Sequence, residues 1–399
     1  MKILHSVIDK VYRMANLRAA SSKVCKNKGA PGTDGVTVAI WQAKEEANIR
    51  QLHGQLYADT YRSKSVRRKL IPKPGSKKLR PLGIPCLSDR VCQQAVLSVL
   101  QPTFEELFFD GSHGFRPGRS TQSVREAVVA HRKQGYRYVV DLDIKNFFGE
   151  VDHEILMRLV RQVVKDRRVL GLIRGWLQAG VLDEGKVRYA TSGTPQGGVI
   201  SPLLANIYLT PFDHALKEAG YVHFRYADDV LIMCQTRQEA EEALEKAREL
   251  LTKVKLELSP EKTVVTSFAE GFDFLGFHFA SRHVGVGSKS LKAFYAKTRE
   301  KTKRNQGGIP LAQVILNTNE TIRGWANYHK RGNNVGLFKT LDKWVRNRMR
   351  AYVRRRWRDR GRWKLLTAEQ LDAKGLRRLE RSIPRYEKLE LFSSLPGRG

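Results

Sequence analysis

The sequence predicts an α+β protein, on three observations. Strand-like runs rich in aromatic and β-branched residues meet at tight turns. One pair is Phe224-Arg225-Tyr226-Ala227-Asp228-Asp229-Val230-Leu231-Ile232, another brackets Pro74-Gly75. Amphipathic helical stretches, such as 239–254 with its i,i+4 charge pairs, lie between such runs. From Lys289 onward the composition shifts to basic helices, broken at Gly307-Gly308-Ile309-Pro310 and at Gly332-Asn333-Asn334. The acidic turn at Ala227-Asp228-Asp229 organises the rest, because it sets two carboxylates at one end of a sheet. Read alone, such a pair is equally a solvated turn.

The chain has 399 residues, room for two or more domains, and 41% hydrophobic against 28% charged residues, the balance of a folded chain. It holds no run of 18 apolar residues, so no membrane partner is expected, and its N-terminus lacks the apolar core of a signal peptide. Cys25, Cys86, Cys92 and Cys234 are scattered, which argues against a zinc site and predicts a reducing, cytoplasmic setting. The formal net charge is +32, and 289–399 alone carries 29 Lys and Arg against 9 Asp and Glu. Self-repulsion on that scale disfavours the compact state unless a polyanion is bound, so the expected partner is nucleic acid.

In chain order, Ile3, Val7, Val11 and Met14 predict helix within 1–28, followed by a Gly/Pro loop at 29–35 and a helix over 40–57. The run 66–85 reads as a basic hairpin with Lys73 and Arg80 on opposite arms, suited to a triphosphate or simply solvated. Ser88 is expected to cap a helix to about 100, and Ser120 a helix to about 133. In the loop between, Arg116 and Arg119 could grip a nucleic-acid backbone or serve ordinary loop packing. The run 138–148 reads as a strand running into a loop, with Asp141 and Asp143 on one face of the strand and Val140 and Leu142 on the other. Helices are expected over 153–164, 169–179 and 203–209, the last after the loop 192–202. There, Gly197 and Gly198 follow Gln196 and permit close backbone approach to a planar ligand. A strand-turn-strand is expected over 256–267, and an aromatic strand pair bent at Gly276 over 272–279. The domain boundary falls near 285.

This order of motifs resembles the reverse transcriptase palm, and in detail the bacterial group II intron reverse transcriptase/maturase family. The residues that carry the resemblance are Ile-Pro-Lys-Pro-Gly at 71–75, Arg-Pro-Leu-Gly-Ile-Pro at 80–85, Gly-Phe-Arg-Pro-Gly-Arg-Ser at 114–120, Thr-Pro-Gln-Gly-Gly-Val-Ile-Ser-Pro at 194–202, Tyr-Ala-Asp-Asp at 226–229 and Phe-Leu-Gly-Phe at 274–277. A looser likeness to the maturase (thumb) segment runs through Ile322-Arg323-Gly324-Trp325-Ala326-Asn327-Tyr328-His329. The resemblance implies a right-hand polymerase fold: an N-terminal extension over 1–28, fingers and palm over 29–285, a thumb/maturase domain over 286–399. It implies Asp143, Asp228 and Asp229 as catalytic acids and metal ligands, with Asp141 the rival of Asp143. Lys73 and Arg80 would hold the triphosphate, Gln196 and Gly197 would pack on the nucleotide, and Phe148 would exclude a 2′-hydroxyl. Phe274, Leu275, Gly276 and Phe277 would form the primer grip. Gly149 departs from the pattern, where the family often has an acid. No Cys/His-bearing endonuclease domain is expected.

Three converging carboxylates repel by about 4 kcal/mol per pair at 4 Å and an effective dielectric near 20. Such a cluster makes sense around cations, and all-oxygen ligands favour two Mg²⁺ ions. The expected function is RNA-directed DNA synthesis joined to assistance of intron splicing and retrohoming. The partners would be template and intron RNA, a DNA primer or target, and dNTPs. A stand-alone host role, such as phage defence, and an RNA-binding splicing cofactor without polymerase activity are the alternatives. In the basic C-terminal segment, Arg354, Arg355 and Arg356 are the expected RNA contacts, with Trp344, Trp357 and Trp363 interleaved among the arginines.

Overall fold

The structure, a computed structural model, describes residues 2–72, 79–183, 186–188, 193, 197–303, 308–356 and 366–384. The chain separates into two compact units, Met1–Val265 and Thr266–Gly399.

The first unit is built on an antiparallel sheet. Its strand Asp229–Cys234 pairs with Val222–Tyr226 on one side and Tyr138–Asp143 on the other, and a strand at Val264–Ser267 extends the order beyond Tyr138–Asp143. Period-two alternation divides its residues. Val140, Leu142, Val230, Ile232 and Cys234 enter the main core, whereas Asp141, Asp143 and Asp229 share the other face with Leu231 and Met233. Against the sheet packs the helix Arg237–Lys253, whose buried stripe Ala240, Ala243 and Ala247 permits a close approach. The helices His153–Val163 and Ser201–Glu218 complete that layer.

Two helices outrun their expected ends. Leu87–Glu105 starts with Cys86, not Ser88, as N-cap and passes through Pro102. Ser201–Glu218 continues past 209 through Pro211. An interior proline costs about 3 kcal/mol. Here burial outweighs it: Leu100 and Phe104 in the first helix, and Leu209, Phe212 and Leu216 in the second, are all core residues. Ser120 does cap Thr121–Lys133, with a reciprocal bond from Ser123. The expected helix over 40–57 is two, Val38–Ala43 and Glu45–Tyr57, broken at Lys44.

The first 28 residues are folded into this unit. Leu4, Val7, Val11, Leu17, Ala20 and Val24 join the main core. Asp166 accepts the backbone N–H groups of Val7 and Ile8 at 2.8 and 2.9 Å while capping Arg167–Leu177. The basic hairpin forms from Val66–Pro72 and Leu79–Ile84, with Ile71 opposite Arg80. Its sheet is extended by Val181–Asp183 and Lys186–Arg188, two short strands that local sequence pattern does not mark.

The second unit opens with a three-stranded meander, Phe272–Phe274, Phe277–Ala280 and His283–Val286. The turn Leu275-Gly276 has φ 47° and 77°, the double left-handed geometry that matches strand twist. Among the described residues, the α-helices Ser288–Lys301, Leu311–His329, Val335–Arg356 and Ala368–Ala373 follow. Their core gathers Phe294, Ile315, Ile322, Ala326, Phe338, Leu341 and Val345. The division between units precedes the expected boundary near 285 because the aromatic meander packs on the helices. Phe277 stacks on Tyr328 at 5.3 Å, and the Tyr328 hydroxyl donates to the Leu275 carbonyl at 2.8 Å. Among the described residues no helix is long and apolar enough to cross a membrane.

Candidate active site

The strands Val222–Tyr226 and Asp229–Cys234 are joined by the two-residue turn Ala227-Asp228, since Tyr226 pairs directly with Asp229. Asp143 lies opposite Asp229 on the neighbouring strand, while Asp141 lies opposite Leu231, one same-face step away from the turn. The sheet thus brings Asp143, Asp228 and Asp229 to one end. Burial raises the Asp228 carboxyl above its ordinary range and the charge of Asp143 adds to this, while Arg80 and Lys262 pull it back. Arg80 on the basic hairpin therefore acts on the acid cluster.

Lys262 is a site residue that sequence reasoning missed. Its ammonium donates to both oxygens of Asp143, at 2.7 and 2.9 Å. It is brought there by backbone: Ile144 bridges to Leu258, and Ser259 N–H donates to the Asp143 carbonyl at 2.8 Å. Nothing in the local pattern marked it, because a lysine after Ser259-Pro260-Glu261 reads as an ordinary turn cation. Among the described residues no group of three or more His, Cys, Asp or Glu side chains is drawn together into a formed metal cage. The donor set nonetheless fits a hard divalent cation: carboxylate oxygens only, mutually repelling, one of them already holding a cation.

Glycines mark close backbone approaches. A Cβ on Gly197, whose φ is 121°, would come within 2.5 Å of the Gly83 carbonyl on the basic hairpin. Gly193 sits against the Phe148 and Gly149 carbonyls, where a Cβ would be 3.0 Å from each, and its N–H donates to the Val151 carbonyl at 2.8 Å. Gly193 is thereby seated against the turn that follows Asp143. In that turn Phe147 is core, 2% exposed and edge-on to Tyr208, while Phe148 is half-buried. A Cβ on Gly149 would first meet the Asn146 side-chain amide, at 2.4 Å, which bonds Glu150. Lys73 and Gln196 fall outside the described residues.

The two loop arginines have different situations. Arg116 is buried and spends its guanidinium inside the fold, on Glu105, the Phe109 and Ser112 carbonyls and, over its ring, Phe108. The expectation of an RNA contact at Arg116 is corrected accordingly: it is a brace of the 105–116 loop. Arg119 bonds Asp110 from a partly exposed position. In the second unit Phe274 and Phe277 are buried, leaving Leu275 and Gly276 as the accessible part of the expected grip. On Val335–Arg356, Arg346 pairs with Asp372 at 2.5 Å, Arg348 bonds Thr302, and Arg350 donates to the Leu366 carbonyl at 2.8 Å. Trp344 packs edge-on against Tyr295 at 4.7 Å, so it supports the helical core. The side chains of Arg354, Arg355 and Arg356 lie outside the described residues, as do Trp357 and Trp363.

A sheet that ends in a Tyr-Ala-Asp-Asp turn beside a third acid, followed by an aromatic meander and basic helices, defines a polymerase palm with a helical appendage. The reverse transcriptase (RNA-dependent DNA polymerase) family profile matches residues 71–279, and the group II intron maturase-specific domain matches 291–369. The chain is 35% identical to protein YkfC of Escherichia coli over 68% of this chain and 82% of that one. It is 32% identical to the group II intron-encoded protein LtrA of Lactococcus lactis over 68% of this chain, and there it spans 56% of the relative's length. A shorter match, 38% identical over 24% of this chain and 13% of the relative, is to the nuclear intron maturase 1, mitochondrial, of Arabidopsis thaliana. The chain belongs to the bacterial group II intron reverse transcriptase/maturase family. It is an RNA-directed DNA polymerase by family, of right-hand α+β fold, and the family uses divalent metal ions and binds RNA and DNA.

Proposed function

We propose that this chain extends a DNA primer on an RNA template with dNTPs, using two Mg²⁺ ions held by Asp143, Asp228 and Asp229, and that its basic helical unit binds intron RNA to assist splicing and retrohoming. The observation that carries the reading is the register of Asp143 opposite Asp229 beside the Ala227-Asp228 turn, with Arg80 acting on Asp228. When bound, divalent ions at such carboxylates lower the pKa of the primer 3′-hydroxyl and stabilise the leaving pyrophosphate. The chain's own residues do the rest. Arg80 and Lys73 neutralise the β- and γ-phosphates and so stabilise charge that grows in the transition state. Gln196 and Gly197 pack on the incoming nucleotide. Phe148 fills the volume that a 2′-hydroxyl needs, and Leu275-Gly276 supports the primer backbone. The partly buried Asp228, its carboxyl raised by desolvation, also weighs against a splicing cofactor without polymerase activity, since RNA binding alone does not require that cost.

The test is Asp228→Ala in the full chain. Primer extension in Mg²⁺ is expected to fall below detection, while affinity for intron RNA stays within about twofold of wild type. Near-wild-type extension by this variant would sink the assignment of the acids.

A further inference from the structure

One charged side chain in the palm serves no role assigned so far. Arg225 lies one residue before Tyr226 in the strand that leads to the acid turn, and it is fully buried. Alternation turns it, with His223, away from Phe224 and Tyr226. There it meets Asn206 and Asp213, seven residues apart and so on one face of the helix Ser201–Glu218. Its Nε donates to both Asp213 oxygens at 2.9 and 3.0 Å, and its Nη2 donates to Asp213 at 2.5 Å. Its Nη1 donates to the Asn206 side-chain carbonyl at 2.9 Å and to the backbone carbonyl of Ala227 at 3.1 Å. Asp213 is equally buried, and although burial alone would raise it, Arg225 and His223 hold it below the ordinary carboxylate range.

The bond to Ala227 is the informative one. Ala227 has φ 60°, the left-handed region that a residue with a Cβ resists by roughly 1–2 kcal/mol. Its carbonyl belongs to the peptide plane that leads directly into Asp228. The other side of the turn is closed by Gly114, where a Cβ would lie 2.3 Å from the Ala227 nitrogen. Asn206 ties the two together, because its amide donates to the Gly114 carbonyl at 2.9 Å. The loop itself is stitched to the strand: Arg225 N–H donates to the Gly111 carbonyl, and His113 N–H donates to the Arg225 carbonyl. The strained peptide is thus held from both sides by a single network.

We propose that Arg225, braced by Asp213 and Asn206, is a positioning residue for the polymerase reaction: it fixes the Ala227–Asp228 peptide and thereby the direction in which Asp228 presents its carboxylate to divalent metal. This rests on the polymerase reading above. Arg225→Lys keeps the buried charge beside Asp213 but loses the planar fork that reaches Asn206 and Ala227 together. Asn206→Ala keeps the ion pair and removes the tie to Gly114.

The experiment measures four things on the full chain: thermal melting, steady-state primer extension on a poly(rA)/oligo(dT) substrate, the Mg²⁺ midpoint of that activity, and Mn²⁺ binding by electron paramagnetic resonance without substrate. For Arg225→Lys the expected result is a kcat at least tenfold lower, a dTTP KM within twofold, a Mg²⁺ midpoint at least threefold higher and correspondingly weaker Mn²⁺ binding. Asn206→Ala is expected to show the same pattern at smaller amplitude. A wild-type chain that fails to extend the primer overturns the polymerase reading itself. An active wild type with a folded Arg225→Lys of unchanged kcat and metal affinity overturns the positioning role alone. If Arg225→Lys does not fold, unchanged kcat and Mn²⁺ binding in Asn206→Ala overturn it.

Discussion

Lys262 holds both carboxylate oxygens of Asp143 from a side chain that is itself 61% exposed. An ammonium in that place neutralises an acid that a divalent ion would also claim. The two cannot share the same lone pairs, so the lysine is a competitor for the site. An exposed ion pair is worth about 0.2–1 kcal/mol, which is at most roughly a fivefold change in an equilibrium constant. Lys262→Gln is therefore expected to lower the Mg²⁺ midpoint of primer extension by up to that factor. A Mg²⁺ titration at fixed ionic strength checks it. A midpoint that rises would mean that Lys262 contacts substrate phosphate and that its pairing with Asp143 is incidental.

The second prediction separates two adjacent rings. Phe147 is core, and its loss is expected to destabilise the fold by about 3–5 kcal/mol, as for other buried Phe→Ala changes. Phe148 packs edge-on to it at 5.2 Å but is only half-buried. Phe148→Ala is expected to leave melting nearly unchanged and to let ribonucleotides in. The ratio of kcat/KM for dNTP over rNTP is the readout. It should fall at least tenfold, and an unchanged ratio would remove Phe148 from the sugar pocket.

The third prediction uses a buried acid away from the catalytic cluster. Asp89 accepts the Tyr61 hydroxyl at 2.5 Å and the Lys64 N–H at 3.2 Å, yet burial pushes its pKa up to about 6. Its folded value lies above its unfolded one. The stability it contributes is therefore fully present below about pH 4 and lost as pH rises through about 6. The size is about 3 kcal/mol. Denaturant unfolding of wild type and Asp89→Asn across pH 4 to 7 isolates this, because other titrating groups cancel in the difference. The variant is expected to gain on wild type by about 2–3 kcal/mol over that range. A difference that stays flat with pH would place the Asp89 pKa at its ordinary value.

How much of this was legible in the sequence follows from the range of the interactions. The acid hairpin, the capped helix after Ser120 and the strand carrying Asp143 rest on local patterns, and all three are present. The two helices that continue through Pro102 and Pro211 run past their expected ends because proline penalties are local, whereas the burial that outweighs them comes from distant chain. Lys262 and Arg225 were invisible as partners for the same reason. Each is defined by a residue outside its own local pattern, Asp143 in one case and Asp213 with Asn206 in the other. Arg116 failed in the opposite direction: a basic residue in a glycine-rich loop reads as a phosphate contact until Glu105 and the carbonyls around it are seen to consume it.

The last prediction concerns charge along one helix. On Val335–Arg356, the arginines at 346, 348 and 350 are spent inside the second unit, on Asp372, Thr302 and the Leu366 carbonyl. Arg346 is buried, and Asp372 also holds Arg378. Replacing these three with Gln breaks internal bonds and is expected to lower the melting temperature without a specific change in the salt dependence of RNA binding. Arg354, Arg355 and Arg356 continue the same helix toward the strongly basic stretch that follows. Removing one Arg–phosphate pair flattens the plot of log affinity against log salt by roughly 0.7–0.9. Arg354→Gln, Arg355→Gln and Arg356→Gln together are therefore expected to reduce that slope by about two to three units for structured intron RNA. Nucleotide addition on a saturating short primer–template should change less than twofold, since Asp143, Asp228 and Asp229 are untouched. Filter binding at several salt concentrations, run beside single-turnover extension, measures both. An unchanged slope with normal melting would move the RNA surface of the basic unit away from this helix end.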